Sequence, residues 1–291
     1  MPTLLDFRRR IRSVKNTQQI TRAMKFVAAA RLRRAQEAAL AARPYAKELA
    51  RVLRSIMSRI DRPEHPLLAR RPEEKILVVV LSGERGLAGA FNSNILRKAN
   101  EFFRAHKDKK LSVIPVGKKG RDSLKRAGFH FPEEYINVLA KVSFGTARDL
   151  SSVVTELYTK EEADSVYIVF SEFKTVMTSE LVLQKLLPVE ALSASEETAF
   201  EQASSQVDYI YEQPKEQILD RLLPRYIETQ ILRAMLESSA AEYAARMTAM
   251  EAATKNAGDV IEALTLHMNK VRQAAITKEI IEIVSGASYG A

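Results

Sequence analysis

Three glycines, Gly83, Gly86 and Gly89, follow a β-branched run and precede a stretch with helical spacing, the place where a backbone loop could cradle a phosphate. Their pattern is Gly-x-x-Gly-x-x-Gly, neither the dinucleotide fingerprint nor a Walker loop, and no Gly-Lys-Ser/Thr occurs in the chain. This spacing favours a turn with tight helix packing over a nucleotide seat. A second basic turn, Gly117-Lys118-Lys119-Gly120, reads as solvated. Glu161 and Glu162 are neighbours, so on a helix they point apart and form no acid/base pair. The absence of Cys removes disulfides, thiol nucleophiles and thiolate-held zinc or iron–sulfur clusters, and His65, His106, His130 and His267 are too dispersed for a metal motif. No nucleophile elbow is visible. The residues nominate no catalytic group, metal or cofactor, and the chain reads as non-enzymatic by itself.

The elements around those glycines are legible. Residues 75–81 (KILVVVL) form a short buried strand, followed by the glycine turn and a helical stretch to about residue 106. Strands are expected at 111–116, 165–173, 176–188 and 207–212, with helices at 118–127 and 146–159. Such alternation argues an α/β layer with a largely parallel sheet, a central Rossmann-like domain spanning 73–212. The polar stretch 193–205 (SASEETAFEQASS) is expected to be an exposed acidic loop.

Both ends of the chain carry a different pattern. From Leu4, steps of three and four residues reach Phe7, Ile11 and Val14 and continue through an Ala-rich middle to Leu53, Ile56 and Ile60, with fourteen of seventeen positions apolar. A heptad kept for that distance is the signature of a coiled coil. Pro44 should bend it, and prolines at 63, 66 and 72 should end it after residue 60. The same alternation runs from Leu236 through Tyr243, Met250 and Ile261 to Ala275, then slips to Ile276, Ile280 and Ile283. This second helix is expected to start near Pro214 or Pro224 and to run about 60–70 residues, roughly 90–105 Å. The expected fold class is therefore α/β: an antiparallel two-helix coiled coil built from helices over 1–60 and 214–286, with the α/β domain between them.

With 291 residues, 46% hydrophobic and 28% charged, the chain can bury a core, and it has no apolar run of about 18 residues to span a membrane. Of its net charge of +9, residues 1–60 hold more than all, with fifteen Lys and Arg against three Asp and Glu. A stripe of that kind attracts an acidic protein surface, a nucleic acid or an anionic membrane, and charge alone does not choose. A nucleic-acid-binding coiled coil and a membrane-tethering scaffold are the rival readings; salt-resistant DNA binding would favour the first and stable self-dimerisation the second. The Arg-rich start resembles a presequence in composition, but its pattern continues unbroken into the helix, so it reads as mature protein.

Four blocks then carry a resemblance. Residues 11–28 (IRSVKNTQQITRAMKFVA), 82–94 (SGERGLAGAFNSN), 246–257 (RMTAMEAATKNA) and 276–288 (ITKEIIEIVSGAS) together resemble the gamma subunits of F-type ATP synthases, in consistent order over about 4–288. The resemblance implies a central rotor shaft whose terminal helices turn inside a ring of alpha and beta subunits, and whose α/β domain meets the epsilon subunit and the c ring. It implies a bacterial member, peripheral on the cytoplasmic side of the cell membrane, coupling proton or sodium flow to ATP synthesis without nucleotide chemistry of its own. Nucleic acid is not an implied partner. Thiol control, known from chloroplast members, has no Cys to act on.

It also implies roles for residues. Arg8, Arg9, Arg12, Lys15, Arg22, Lys25, Arg31, Arg33 and Arg34 would lie outside the seam, Lys25 at its rim, facing acidic loops of the beta subunits; Met24 would sit beside them. Arg272, Gln273 and Thr277 match positions that bond beta loops. Ile276, Ile280, Ile283 and Val284 would turn in an apolar bearing, and Tyr209, Tyr211 and Glu212 would form the foot on the c ring.

Overall fold

A computed structural model describes residues 3–57, 65–189 and 215–289. In chain order the elements are α1 (Leu4–Met57), a 3-10 turn (Pro66–Leu68), β1 (Lys75–Leu81), α2 (Phe91–Ala105), β2 (Lys110–Val116), α3 (Lys118–Arg126), a 3-10 turn (Leu139–Lys141), α4 (Phe144–Thr159), β3 (Ser165–Phe173), β4 (Ser179–Leu187) and α5 (Lys215–Tyr289). The chain divides into two compact units, residues 30–245 and residues 1–29 with 246–291. The division falls inside both long helices.

In the larger unit four strands run in the order β2-β1-β3-β4. β1 pairs parallel with β2 and with β3, and β4 closes the described sheet as an antiparallel strand. The run KILVVVL is apolar at consecutive positions because β1 is covered on both faces. Leu77, Val79 and Leu81 face a core shared with Leu53 and Ile56 of α1, Leu150 and Val154 of α4, and Leu223, Ile227 and Ile231 of α5. Ile76, Val78 and Val80 face the opposite side, against Ile95, Ala99 and Phe103 of α2 and Leu124 of α3. Period-2 alternation along one strand thus feeds two cores.

At the start of the sheet Glu73 gathers Lys185 at 2.8 Å, Lys109 at 3.8 Å and the Tyr167 hydroxyl at 3.2 Å. Burial pushes its carboxyl up, but those partners outweigh it and hold it below the ordinary value. Asp164 accepts the N–H groups of Glu74 and Lys75 at 3.1 and 2.8 Å, fixing the entry to β1.

In the smaller unit α1 and α5 lie antiparallel. Phe7 meets His267, Gln18 meets Thr254, and Lys25 meets Glu251, so rising numbers on one helix match falling numbers on the other. The seam positions of the sequence, Phe7, Ile11, Val14, Gln18, Thr21, Lys25 and Ala28 against Met250, Thr254, Ala257, Ile261, Leu264, Met268 and Val271, are all buried or half-buried.

α1 is continuous through Pro44; the one hydrogen bond the proline removes is that of the Leu40 carbonyl, on an exposed residue where water can substitute. Two expectations need correction. The last helix starts at Lys215, next to Pro214, one of the two expected starts, but it includes Pro224 and spans 75 residues, longer than expected. The strand expected over 176–188 begins only at Ser179, because Thr175 and Thr178 close a turn through their side chains and backbone. The expected strand at 207–212, the acidic loop at 193–205 and the break after residue 60 lie outside the described residues.

Candidate functional site

The glycine turn between β1 and α2 sits at the switch point of the sheet, where β1 has a parallel neighbour on each side and α/β proteins place their ligands. Here the chain's own side chains occupy that crevice. Glu84 Oε2 accepts the Lys118 N–H and Oε1 the Val138 N–H, both at 3.1 Å. Gly120 N–H donates to Ser82 Oγ at 2.7 Å, and Lys119 N–H to the Gly83 carbonyl at 3.1 Å. The first turn of α3 therefore spends its free donors on residues 82–84 rather than on an anion. Gly83 N–H is taken by Asn92 Oδ1 at 2.8 Å, and a Cβ at Gly83 would come within 3.0 Å of the Glu242 carboxylate. Two carboxylates, Glu84 and Glu242, line a crevice where a phosphate needs positive charge. Gly117 is required by the same turn: its φ is +102°, and a Cβ there would fall 1.9 Å from the Ser82 carbonyl oxygen.

Tyr135, which bridges to Val116 beside this turn, is no base either. Burial, and after it the charges of Glu133 and Asp149, push its phenol up to about 12.

The other candidate surface is the outside of the helix pair. Arg8, Arg9, Arg12, Lys15 and Arg22 are exposed, as are Arg31, Arg33 and Arg34 in the larger unit, and Met24 is half-buried. Lys25 lies at the seam rim and is held by Glu251 at 2.6 Å. Arg33 pairs with Glu37 one turn on, and the Arg31 guanidinium lies 5.9 Å from the Tyr243 ring centre. Arg8, Arg9, Arg12, Lys15 and Arg22 share the open face of the smaller unit with Ile20, Phe26 and Val27, three exposed apolar residues that charge counting did not single out.

At the far end of α5, Arg272, Gln273 and Thr277 are exposed, and the Thr277 hydroxyl bonds back to the Gln273 carbonyl at 3.0 Å. By the register of the pair, Leu4 lies level with Lys270, so these residues run past the first turn of α1. Ile276, Ile280 and Ile283 are exposed together with Ile281, which the seam pattern missed because it lies off the heptad. The Val284 side chain, and Tyr209, Tyr211 and Glu212 entirely, lie outside the described residues. Among the described residues no helix is long and apolar enough to cross a membrane.

Comparison with known proteins agrees along the whole length. The profile of the ATP synthase family matches residues 3–288. The chain is 47% identical over 292 residues to the ATP synthase gamma chain of Solibacter usitatus, covering 99% of each. It is 49% identical over 290 residues to that of Geobacter metallireducens, covering 99% of this chain and 98% of the relative. Among solved structures it is similar in fold to a chain of the Euglena gracilis mitochondrial ATP synthase, with a TM-score of 0.66 and 21% identity over 98% of this chain and 93% of that one. A chain of the central stalk and c-ring of the Tetrahymena thermophila mitochondrial enzyme gives a TM-score of 0.60 and 24% identity, over 80% of this chain and 99% of that one.

Proposed function

This chain belongs to the gamma-chain family of ATP synthases, and on that premise we propose that it is the turning central shaft that couples ion-driven rotation of a c ring to the conformational cycle of three beta subunits. Its partners are then the alpha and beta subunits, the epsilon subunit and the c ring, and it sits peripherally on the cytoplasmic face of a bacterial cell membrane. It performs no nucleotide chemistry, a reading supported by a switch-point crevice lined with Glu84 and Glu242.

The observation that carries the proposal is the outer face of α1, which is exposed among the described residues. An exposed run of cations with Ile20, Phe26 and Val27 among them, and a terminal strip of exposed isoleucines, is a surface built to be covered by other chains. As the shaft turns it presents a different side to each beta subunit. Each is biased toward a different state by its differential contact energy with the shaft, as a ligand biases an equilibrium. Arg8, Arg9, Arg12, Lys15, Arg22, Arg31, Arg33 and Arg34, with Lys25 and Met24 at the rim, would meet acidic beta loops through exposed, exchangeable contacts. A rotating surface cannot repeatedly break buried ion pairs, whose rupture is costly. Arg272, Gln273 and Thr277 would bond a second set of beta loops. Ile276, Ile280, Ile283 and Val284 would turn in an apolar sleeve, and Tyr209, Tyr211 and Glu212 would stand on the c ring.

Reconstitution tests this. Alpha and beta subunits are assembled with and without the chain, and steady-state ATP turnover and ring stability are measured. Both should depend on the chain; a ring equally stable and equally fast without it removes the proposal.

A further inference from the structure

The end of β3 is tied to both long helices by one group of charges, all within the larger unit. Glu237 of α5 is fully buried, and its Oε1 accepts from Arg43 Nε of α1 at 2.9 Å, with Arg43 Nη2 2.8 Å away in the ion pair. Its Oε2 accepts the Phe173 N–H at 3.3 Å, and Arg43 Nη2 also reaches the Phe173 carbonyl at 3.4 Å. One residue earlier, Glu172 takes Arg233 of α5 at 3.1 Å and Lys174 at 2.8 Å. The last residues of β3 therefore hold α1 through Arg43 and α5 through Arg233 and Glu237.

These elements also meet through an apolar core that includes Leu53 and Ile56 of α1 and Leu223, Ile227 and Ile231 of α5. Apolar attraction is non-directional and yields to small rotations and slides. A guanidinium that bonds a buried carboxylate through Nε and a strand carbonyl through Nη2 does not, because its bonds hold only over a narrow range of angle. The Arg43 side chain keeps 45% of its surface exposed, so the pair adds little net stability, and the best-attested use of such polar pairs is to fix register.

We propose that Arg43, Glu237 and the Phe173 backbone form a torsional key that sets the angle of the α1/α5 pair against the sheet. A twist applied to the α/β domain then reaches the helices without slack. Arg43 and Glu237 are positioning residues in this scheme, which rests on the rotor reading above.

The test uses the complex assembled with alpha and beta subunits, the ring immobilised and a bead attached through Lys107→Cys, an exposed site in a chain that has no other Cys. The measured quantity is the thermal angular variance of the bead in a nucleotide-bound pause. The double variant Arg43→Met/Glu237→Met keeps volume and apolar packing, so it should assemble, and it should melt somewhat below the parent because the Phe173 N–H loses its acceptor. Its angular variance should rise at least about twofold once directional bonds give way to non-directional packing. Arg43→Lys, which keeps the charge and loses the fork, should fall between the two. Unchanged variance in the assembled double variant overturns the proposal. So does its failure to assemble, which would make the cluster a folding element. If the parent chain itself shows no ATP-driven rotation, the rotor reading fails, whatever the variants do.

Discussion

Gln18 of α1 donates its side-chain amide to the main-chain carbonyl of Thr254 on α5 at 3.3 Å, while Thr254 Oγ1 lies 2.8 Å from Thr21 Oγ1. Gly258 leaves the room for this, since a Cβ there would stand 3.2 Å from the Gln18 amide nitrogen. A polar layer in a heptad seam specifies register at a cost in stability. Gln18→Leu should therefore raise the thermal midpoint of the smaller unit, by about 1 kcal/mol at the transition from the added apolar burial. A lower midpoint would mean that the layer stabilises the pair rather than only aligning it.

Phe7 is buried near the outer end of the seam, 5% exposed, its ring centre 5.0 Å from that of His267. Phe7→Ala should cost about 2–3 kcal/mol, near the low end for a core phenylalanine because two helices can close partly over the gap. Hydrogen exchange reads the effect: amides of α5 near Leu264 and Met268 should lose protection while those of β1 keep theirs. Uniform protection across α5 in the variant would contradict the assignment.

Glu84 supplies the acceptor for two backbone donors at once. Glu84→Ala leaves Lys118 N–H and Val138 N–H without it, and should lower stability to urea by about 1–2 kcal/mol, the range of a lost helix cap plus an unmade bond. Glu84→Gln retains one acceptor oxygen and should lose less. Equal midpoints for parent and Ala variant would show that water replaces the carboxylate without loss.

Glu73 and Glu172 are both held below the ordinary carboxylate value of 4.5, burial being outweighed at Glu73 by Lys185, Tyr167 and Lys109 and at Glu172 by Lys174 and Arg233. A depressed folded-state value means that the unfolded chain binds more protons in the window below 4.5, so the stabilisation is complete above it and is lost as pH falls through the lower folded value. Denaturant midpoints measured from pH 6 down to pH 3, roughly the window such carboxylates span, should fall, and Glu172→Gln should flatten the slope. The same slope in parent and variant would exclude Glu172 as a contributor.

Neutralising Arg8, Arg9 and Arg12 to Gln should weaken binding of the chain to the alpha–beta ring at low salt. Exposed ion pairs contribute about 0–1 kcal/mol each, so the loss is at most roughly a hundredfold in Kd. It should vanish at high ionic strength, where such pairs are screened. A loss that persists in high salt would point to packing rather than charge.

Most of the architecture was readable because it rests on periodicity. The seam from Leu4 to Ile56 and from Leu236 to Ala275 follows from a heptad, and 75–81 and 165–173 follow from apolar runs of strand length, found at Lys75–Leu81 and Ser165–Phe173. What escaped depends on contacts between residues far apart in the chain. Glu237 stands in an ordinary helical stretch, and nothing local shows that it is buried against Arg43, 194 positions earlier. Glu84 stands in the glycine turn, and nothing local shows that Lys118, 34 positions on, and Val138, 54 positions on, meet it. Of the two expected helix starts, Pro214 and Pro224, the helix takes the first and runs through the second, because the core contacts of Leu219 and Leu223 continue it across Pro224. Ile281 escaped because it lies off the heptad, exposed beside Ile280.

The smaller unit joins residues 1–29 to residues 246–291, with residues 30–245 between them in the chain. At a synthesis rate of roughly 5–20 residues per second, the first of these segments waits about ten to forty seconds on the ribosome before its mate exists. During that interval Phe7, Ile11 and Val14 have no seam to enter, so the amino end keeps its apolar and cationic side chains uncovered until translation is nearly complete.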